Sequence, residues 1–160
     1  MLTPADLRRL TAAGPGPRIE VLGPGAASAE RIARSLVALA NAQGGVVIVP
    51  LKSTRGGKPV SGDDVMAQAL EALMAVQPRL IVPLPYLLRP APDSEPEAVV
   101  IEIPEGLPNV FHVDGRYLIR DGGRNVALNA RALRELLLTR SESTWAGSSI
   151  SFRQDSAASA

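Results

Sequence analysis

The chain contains no cysteine. Disulfides, thiolate zinc sites and a cysteine nucleophile are therefore excluded. Its one histidine, His112, rules out a histidine-rich metal site and argues against a Ser-His-Asp triad. Aromatic residues are only 3% of the chain, so stacking of bases on aromatic rings has little support. No apolar run approaches the roughly 20 residues that a membrane helix needs. The opening Met1-Leu2-Thr3-Pro4-Ala5-Asp6 lacks the basic start and apolar stretch of a signal peptide. A cytoplasmic protein, with no membrane partner, is expected. Net charge is also nearly absent, at +1, which by itself neither favours nor disfavours an anionic partner.

Apolar residues make up 46% of the 160 residues, enough for one domain with a real core. The charges are unevenly placed. Lys52, Arg55 and Lys58 share a glycine-bearing loop with no acid. Arg116, Arg120, Arg124, Arg131, Arg134 and Arg140 face only Asp121 and Glu135 over their stretch. Asp93, Glu95, Glu97, Glu102 and Glu105 form an acidic stretch without a base. A folded chain with this pattern is polar in its field although neutral overall, unless the charges merely decorate a mixed solvated surface.

Thr3-Pro4-Ala5-Asp6 reads as a helix start, with Thr3 as cap, Pro4 in the first turn and Asp6 at the positive end. Gly14-Pro15-Gly16-Pro17 stops that helix before a short strand at 18–22. Ser28 caps a second helix, on which Ile32, Leu36, Leu39 and Ala40 recur on one face. That helix runs to about Gln43 and meets Gly44-Gly45. Val46-Val47-Ile48-Val49 follows, apolar at consecutive positions, so both its faces should be buried. A third amphipathic helix carries Val65, Met66, Leu70, Leu73 and Met74 and is stopped by Pro78. Pro83 and Pro85 push the extended 80–88 segment to an edge. Strands are expected at 98–103 and 116–120, and a last helix at 128–139 with Leu133, Leu136 and Leu137 inward. The expected fold is α+β: a mixed sheet of about five or six strands flanked by three or four helices. Residues 1–140 form the expected domain, and the Ser/Ala-rich 141–160 a flexible tail in which Trp145, Ile150 and Phe152 stand out.

Two glycine pairs invite a ligand reading. Phosphate loops lie between a strand and a helix N-terminus, where free N–H groups and the positive dipole end meet the anion. Gly44-Gly45 runs the other way, from helix to strand, so it reads as a helix stop with close backbone packing. Asn41, one turn earlier, either bonds the neighbouring backbone or faces a ligand. Arg120-Asp121-Gly122-Gly123-Arg124-Asn125 follows a strand and precedes a helix, so it is the better candidate anion site. There Gly122 lets the backbone approach, Arg120 and Arg124 supply charge-assisted bonds, and Asn125 caps the helix. The alternative is a plain turn with solvated arginines. Lys52, Arg55 and Lys58 add loop contacts of the salt-dependent, non-specific kind. His112 reads as a half-exposed strand residue rather than a catalytic one.

The ordered set Ile19-Glu20-Val21-Leu22, Ala38-Leu39-Ala40-Asn41-Ala42-Gln43-Gly44-Gly45, Val60-Ser61-Gly62 and Tyr117-Leu118-Ile119-Arg120-Asp121-Gly122-Gly123 resembles the Schlafen AlbA-like domain, a DNA-binding domain type of many bacterial regulators. The resemblance spans roughly 7–140. It implies a nucleic-acid partner, DNA or RNA, with Glu20, Asn41, Gly44, Gly45 and Gly122 as the structural motif. Some Schlafen members resemble metal-dependent RNA nucleases, whose carboxylates hold divalent cations by oxygen. Of that acidic set only Glu20 remains here. Pro15 and Lys52 stand at the other positions, and a lysine ammonium repels a metal ion. Leu22 and Pro50 also replace family residues. The resemblance therefore implies no catalytic residue, no metal and no cofactor at this site. The expected function is non-catalytic nucleic-acid binding through Lys52, Arg55, Lys58, Arg120 and Arg124. The alternatives are a degenerate structural module that forms a homodimer, or a residual nuclease or nucleotide-binding protein.

Overall fold

In a computed structural model, the described residues are 1–53 and 56–141. They form α1 (Pro4–Ala13), β1 (Ile19–Val21), α2 (Ala29–Asn41), β2 (Gly45–Pro50), α3 (Gly62–Ala75), β3 (Tyr86–Leu88), β4 (Ala98–Ile103), β5 (Leu118–Asp121) and β6 (Arg124–Ala127). A further helix, α4, covers 130–141. The class is α+β, as expected. The strands do not share one sheet, however. Four form a mixed sheet in the order β1-β2-β4-β3, while β5 and β6 make a separate hairpin. β1 and β2 run parallel, with α2 as their crossover, and β4 runs antiparallel to both its neighbours. The Trp145, Ile150 and Phe152 positions lie outside the described residues, as does Arg55.

The consecutive apolar residues of β2 are explained by helices on both faces of the sheet. Val47 and Val49 turn to one core, with Val99 and Ile101 of β4 and Ile32, Leu36 and Leu39 of α2. Val46 and Ile48 turn to a second core, with Val100 and with Leu7 of α1. Successive strand side chains alternate faces, so a strand covered on both sides must be apolar at every position. Tyr86 ties the second layer down, because its hydroxyl accepts the Leu2 N–H at 2.8 Å.

The helix starts follow their caps. Thr3 and Asp6 form a reciprocal capping box on α1, and Ser28 Oγ accepts the Arg31 N–H at 3.2 Å on α2. α2 is buried nearly all round, including Ala33, Val37 and Ala38 off its expected face. The β5–β6 hairpin lies over the side that would otherwise meet solvent. On α3 the inward positions are Val65, Ala69 and Ala72, whereas Leu70 and Met74 are exposed. On α4, Leu133 and Leu136 are half-buried but Leu137 is exposed, contrary to its expected inward position.

Gly44-Gly45 is a hinge that only glycine can make. Gly44 has φ +70 and Gly45 φ +139. A Cβ on Gly44 would lie 2.5 Å from the Ile103 carbonyl oxygen, and one on Gly45 2.1 Å from that of Arg18. The chain therefore turns from α2 into the sheet within contact of both neighbouring strands. Asn41 completes the junction. It is buried, its Nδ2 donates to the Phe111 and Leu118 carbonyls at 2.9 and 2.8 Å, and its Oδ1 accepts the Phe111 N–H at 2.7 Å. All of its capacity on that side goes to backbone, so the ligand-facing alternative for Asn41 is ruled out by its burial.

Candidate anion-binding crevice

The βαβ unit places Glu20, in the middle of β1, beside Ser35 on the second turn of α2. The hairpin then brings Arg120 and Asn125, which are paired across β5 and β6, over both. Four side chains close a ring. Arg120 Nη1 donates to Glu20 Oε2 and to Asn125 Oδ1, each at 2.6 Å. Asn125 Nδ2 donates to Ser35 Oγ at 3.1 Å, and Ser35 Oγ donates to Glu20 Oε2 at 3.0 Å. The rest of the guanidinium is anchored to backbone: Nε reaches the Gly16 carbonyl at 3.1 Å and Nη2 that of Ile19 at 2.8 Å. The Arg120 side chain is 0% exposed and that of Glu20 11%. A buried pair is tolerated when further hydrogen bonds satisfy both ions, and this ring supplies them.

The ring forms the floor of an open crevice of about 530 Å³. Leu22 and Leu118 line its apolar part, and Arg31, Arg34, Arg116 and Arg124 its rim. Arg34 pairs with Glu30 at 2.5 Å, one turn away on the same helix. Arg31, Arg116 and Arg124 have no ion pair among the described residues. The crevice also opens beside the positive end of α2. Since Arg120 neutralises Glu20, the rim carries an uncompensated positive charge. Such a rim attracts anions, and guanidinium groups bind phosphate or carboxylate through paired N–H donors.

Two sequence expectations are corrected here. Arg120 was expected to contact phosphate, but it is sealed beneath the crevice and spends its donors on Glu20, Asn125 and two carbonyls. Asn125 was expected to cap a helix after a strand. Instead a second strand intervenes, and Asn129 caps α4, its Oδ1 accepting the Ala132 N–H at 2.7 Å. Gly122 is in the hairpin turn at φ +59, and Gly123 packs against Pro15, whose carbonyl oxygen would be 3.2 Å from an added Cβ. Of the loop cations, Lys52 is 3.6 Å from Glu95, in a different depression. Lys58 is exposed beside the Gly23–Ala26 turn, in another depression. Of the four expected contacts among the described residues, Arg124 alone lines the crevice. Arg31 and Arg34, which sequence reading passed over, carry a usable signal: they and Ser35 fall on one face within the first turns of a capped helix.

His112 is half-buried, paired by its backbone to Gln77 and set against the Tyr117 ring at 4.9 Å. Its buried Nδ1 has no hydrogen-bond partner among the described residues. Among the described residues no three His, Cys, Asp or Glu side chains cluster as metal ligands, and no helix is long and apolar enough to cross a membrane.

No family model matches the chain, and no curated protein matches it. Among solved structures it is similar to the DIP2311 protein from Corynebacterium diphtheriae, at 12% identity and a TM-score of 0.48. The match covers 78% of this chain and 29% of that one. The chain thus spans less than a third of the protein it resembles.

Proposed function

We propose that this chain is a divergent Schlafen AlbA-like domain that binds nucleic acid without catalysis, in a cytoplasmic regulator of bacterial type. The observation that carries the reading is the set of unpaired arginines, Arg31, Arg116 and Arg124, around one crevice. They line one crevice, and Lys58 lies beside the β1–α2 turn that leads from it. Phosphate contacts of this kind position a strand without reading its sequence. Catalysis is disfavoured because the one carboxylate in the crevice, Glu20, is already held by Arg120. Fluorescence anisotropy with labelled single-stranded DNA and RNA, at two salt concentrations, tests the reading. Affinity that falls steeply with salt, and falls again in the R116A/R124A variant, is expected. Absent or salt-independent binding to both would overturn it.

A second reading, a homodimeric assembly module, is favoured by one observation. Met74, Ile81 and Leu84 are 86%, 82% and 77% exposed beside Leu70, a larger apolar surface than scattered single residues make. Light scattering that gives a stable dimer, with no nucleic-acid binding, would select it.

A further inference from the structure

The floor of the crevice holds one polar atom that the ring does not use. Glu20 Oε2 accepts both the Arg120 and the Ser35 bonds. Glu20 Oε1 accepts none among the described residues, yet it is not sealed from solvent, since the one sealed side-chain atom without a partner is His112 Nδ1. Oε1 therefore faces the crevice that Glu20 lines. A carboxylate can only accept hydrogen bonds. The rim thus demands an anion while the floor demands a donor. A ligand that presents acceptors alone, such as a bare phosphodiester track, meets the arginines but places an oxygen or a CH group against Oε1.

From this juxtaposition we infer that Glu20 is a specificity-determining residue: its Oε1 accepts a sugar hydroxyl, so the crevice takes a phosphate ester with a hydroxyl donor beside it and discriminates against the deoxy counterpart. The inference rests on the phosphate-binding reading and narrows its ligand. The hydroxyl in question is the 2′-OH of a ribose, which is both donor and acceptor, and its loss leaves a desolvated carboxylate oxygen unpaired.

The test is anisotropy of the full chain with three labelled single strands of one sequence: ribose, deoxyribose and 2′-O-methyl. The methyl ether keeps ribose-like pucker but removes the donor. About tenfold tighter binding of the ribose strand than of either other strand is expected, roughly 1.4 kcal/mol. In E20Q the amide oxygen serves Arg120 and Ser35, so the amide N–H₂ faces the crevice in place of the acceptor. The preference over the 2′-O-methyl strand, which depends on the donor alone, should then shrink to within about twofold, with the circular dichroism spectrum unchanged. Equal, salt-sensitive binding of all three strands by the wild type overturns this inference and leaves phosphate binding standing. An undiminished preference over the 2′-O-methyl strand in folded E20Q overturns the assignment to Glu20. If E20Q does not fold, the 2′-O-methyl strand on the wild type decides, because it alters the ligand and not the protein. Binding of none of the strands overturns both.

Discussion

Removing the Arg120 guanidinium should be among the costliest single changes in the molecule. R120M keeps much of the side-chain volume and deletes four hydrogen bonds, to Gly16, Ile19, Glu20 and Asn125. It also leaves the Glu20 carboxylate, 11% exposed, with Ser35 as its remaining protein donor. Breaking a buried pair from one side costs about 3–5 kcal/mol, because the partner charge stays behind uncompensated. For a domain whose total stability is about 5–15 kcal/mol, that is a large share. Urea unfolding followed by circular dichroism reads it as a lower midpoint at unchanged slope. E20Q keeps an acceptor for Arg120 and Ser35 but strips the fully buried guanidinium of its counter-charge, so it should cost about 3 kcal/mol, the low end of the same range. The double variant E20L/R120M removes both charges. It should be more stable than R120M, although the Gly16 and Ile19 carbonyls still lack their donor. The sign of that difference is the discriminating result. If R120M costs under about 1 kcal/mol, or if E20L/R120M is less stable than R120M by the full cost of E20L, the ring is not the scaffold described.

Four other outcomes follow from the same structure. With three unpaired arginines on phosphates, single-strand affinity should fall about twentyfold between 50 and 200 mM salt, and only about threefold in R116A/R124A; equal slopes would refute the crevice as the contact. G45A should prevent stable folding, because its Cβ would sit 2.1 Å from a backbone oxygen, while G122A, with open space around φ +59, should cost about 1–2 kcal/mol; similar costs in chemical denaturation would contradict the hinge. Burial lifts the Tyr86 hydroxyl above its usual value of 10.0. The fold therefore favours the protonated phenol, and that stability is complete below the unfolded-state value and drains as pH rises through the folded one; in Y117F the phenolate absorbance should rise with a midpoint above 10.0, and a lower midpoint would refute it. Arg140 donates to the carbonyls of Leu107, Asn109 and Ala40, so R140A should speed hydrogen exchange across α4, and unchanged protection there would show that the helix is held by other contacts.

What could be read from the sequence was what is local. Caps at Thr3 and Ser28, the stop at Gly44 and the doubly buried β2 each follow from a few adjacent residues, and each is present. The β5–β6 hairpin was not legible, because Gly122-Gly123 fits a strand-to-helix loop as well as a hairpin turn. Arg120 was misjudged for a related reason. Nothing in its neighbours separates it from Arg116 or Arg124. Only the long-range pairing that sets it opposite Glu20 decides that one arginine is sealed and the others are free. Leu137 of α4 failed in the same way, since helical spacing names a face but not what covers it.

Net charge proves a poor guide to this molecule for a physical reason. Its +1 is a sum over groups in unlike surroundings. Arg120 and Glu20 cancel inside the protein, Lys52 faces Glu95 across a separate depression, and Arg34 faces Glu30 along its own helix. Exposed pairs of the last two kinds contribute little and are screened by salt. Around the crevice the balance is local: three arginines line its rim from α2, from the turn before β5 and from the start of β6. A ligand within a Debye length of that crevice meets their field rather than the average. The buried pair makes this possible. Without Arg120, the Glu20 carboxylate would offset one of the rim charges and repel the anion they attract. With it, the pair is neutral in its far field and the carboxylate acceptor-only at close range, which is what the proposed discrimination between phosphate esters requires.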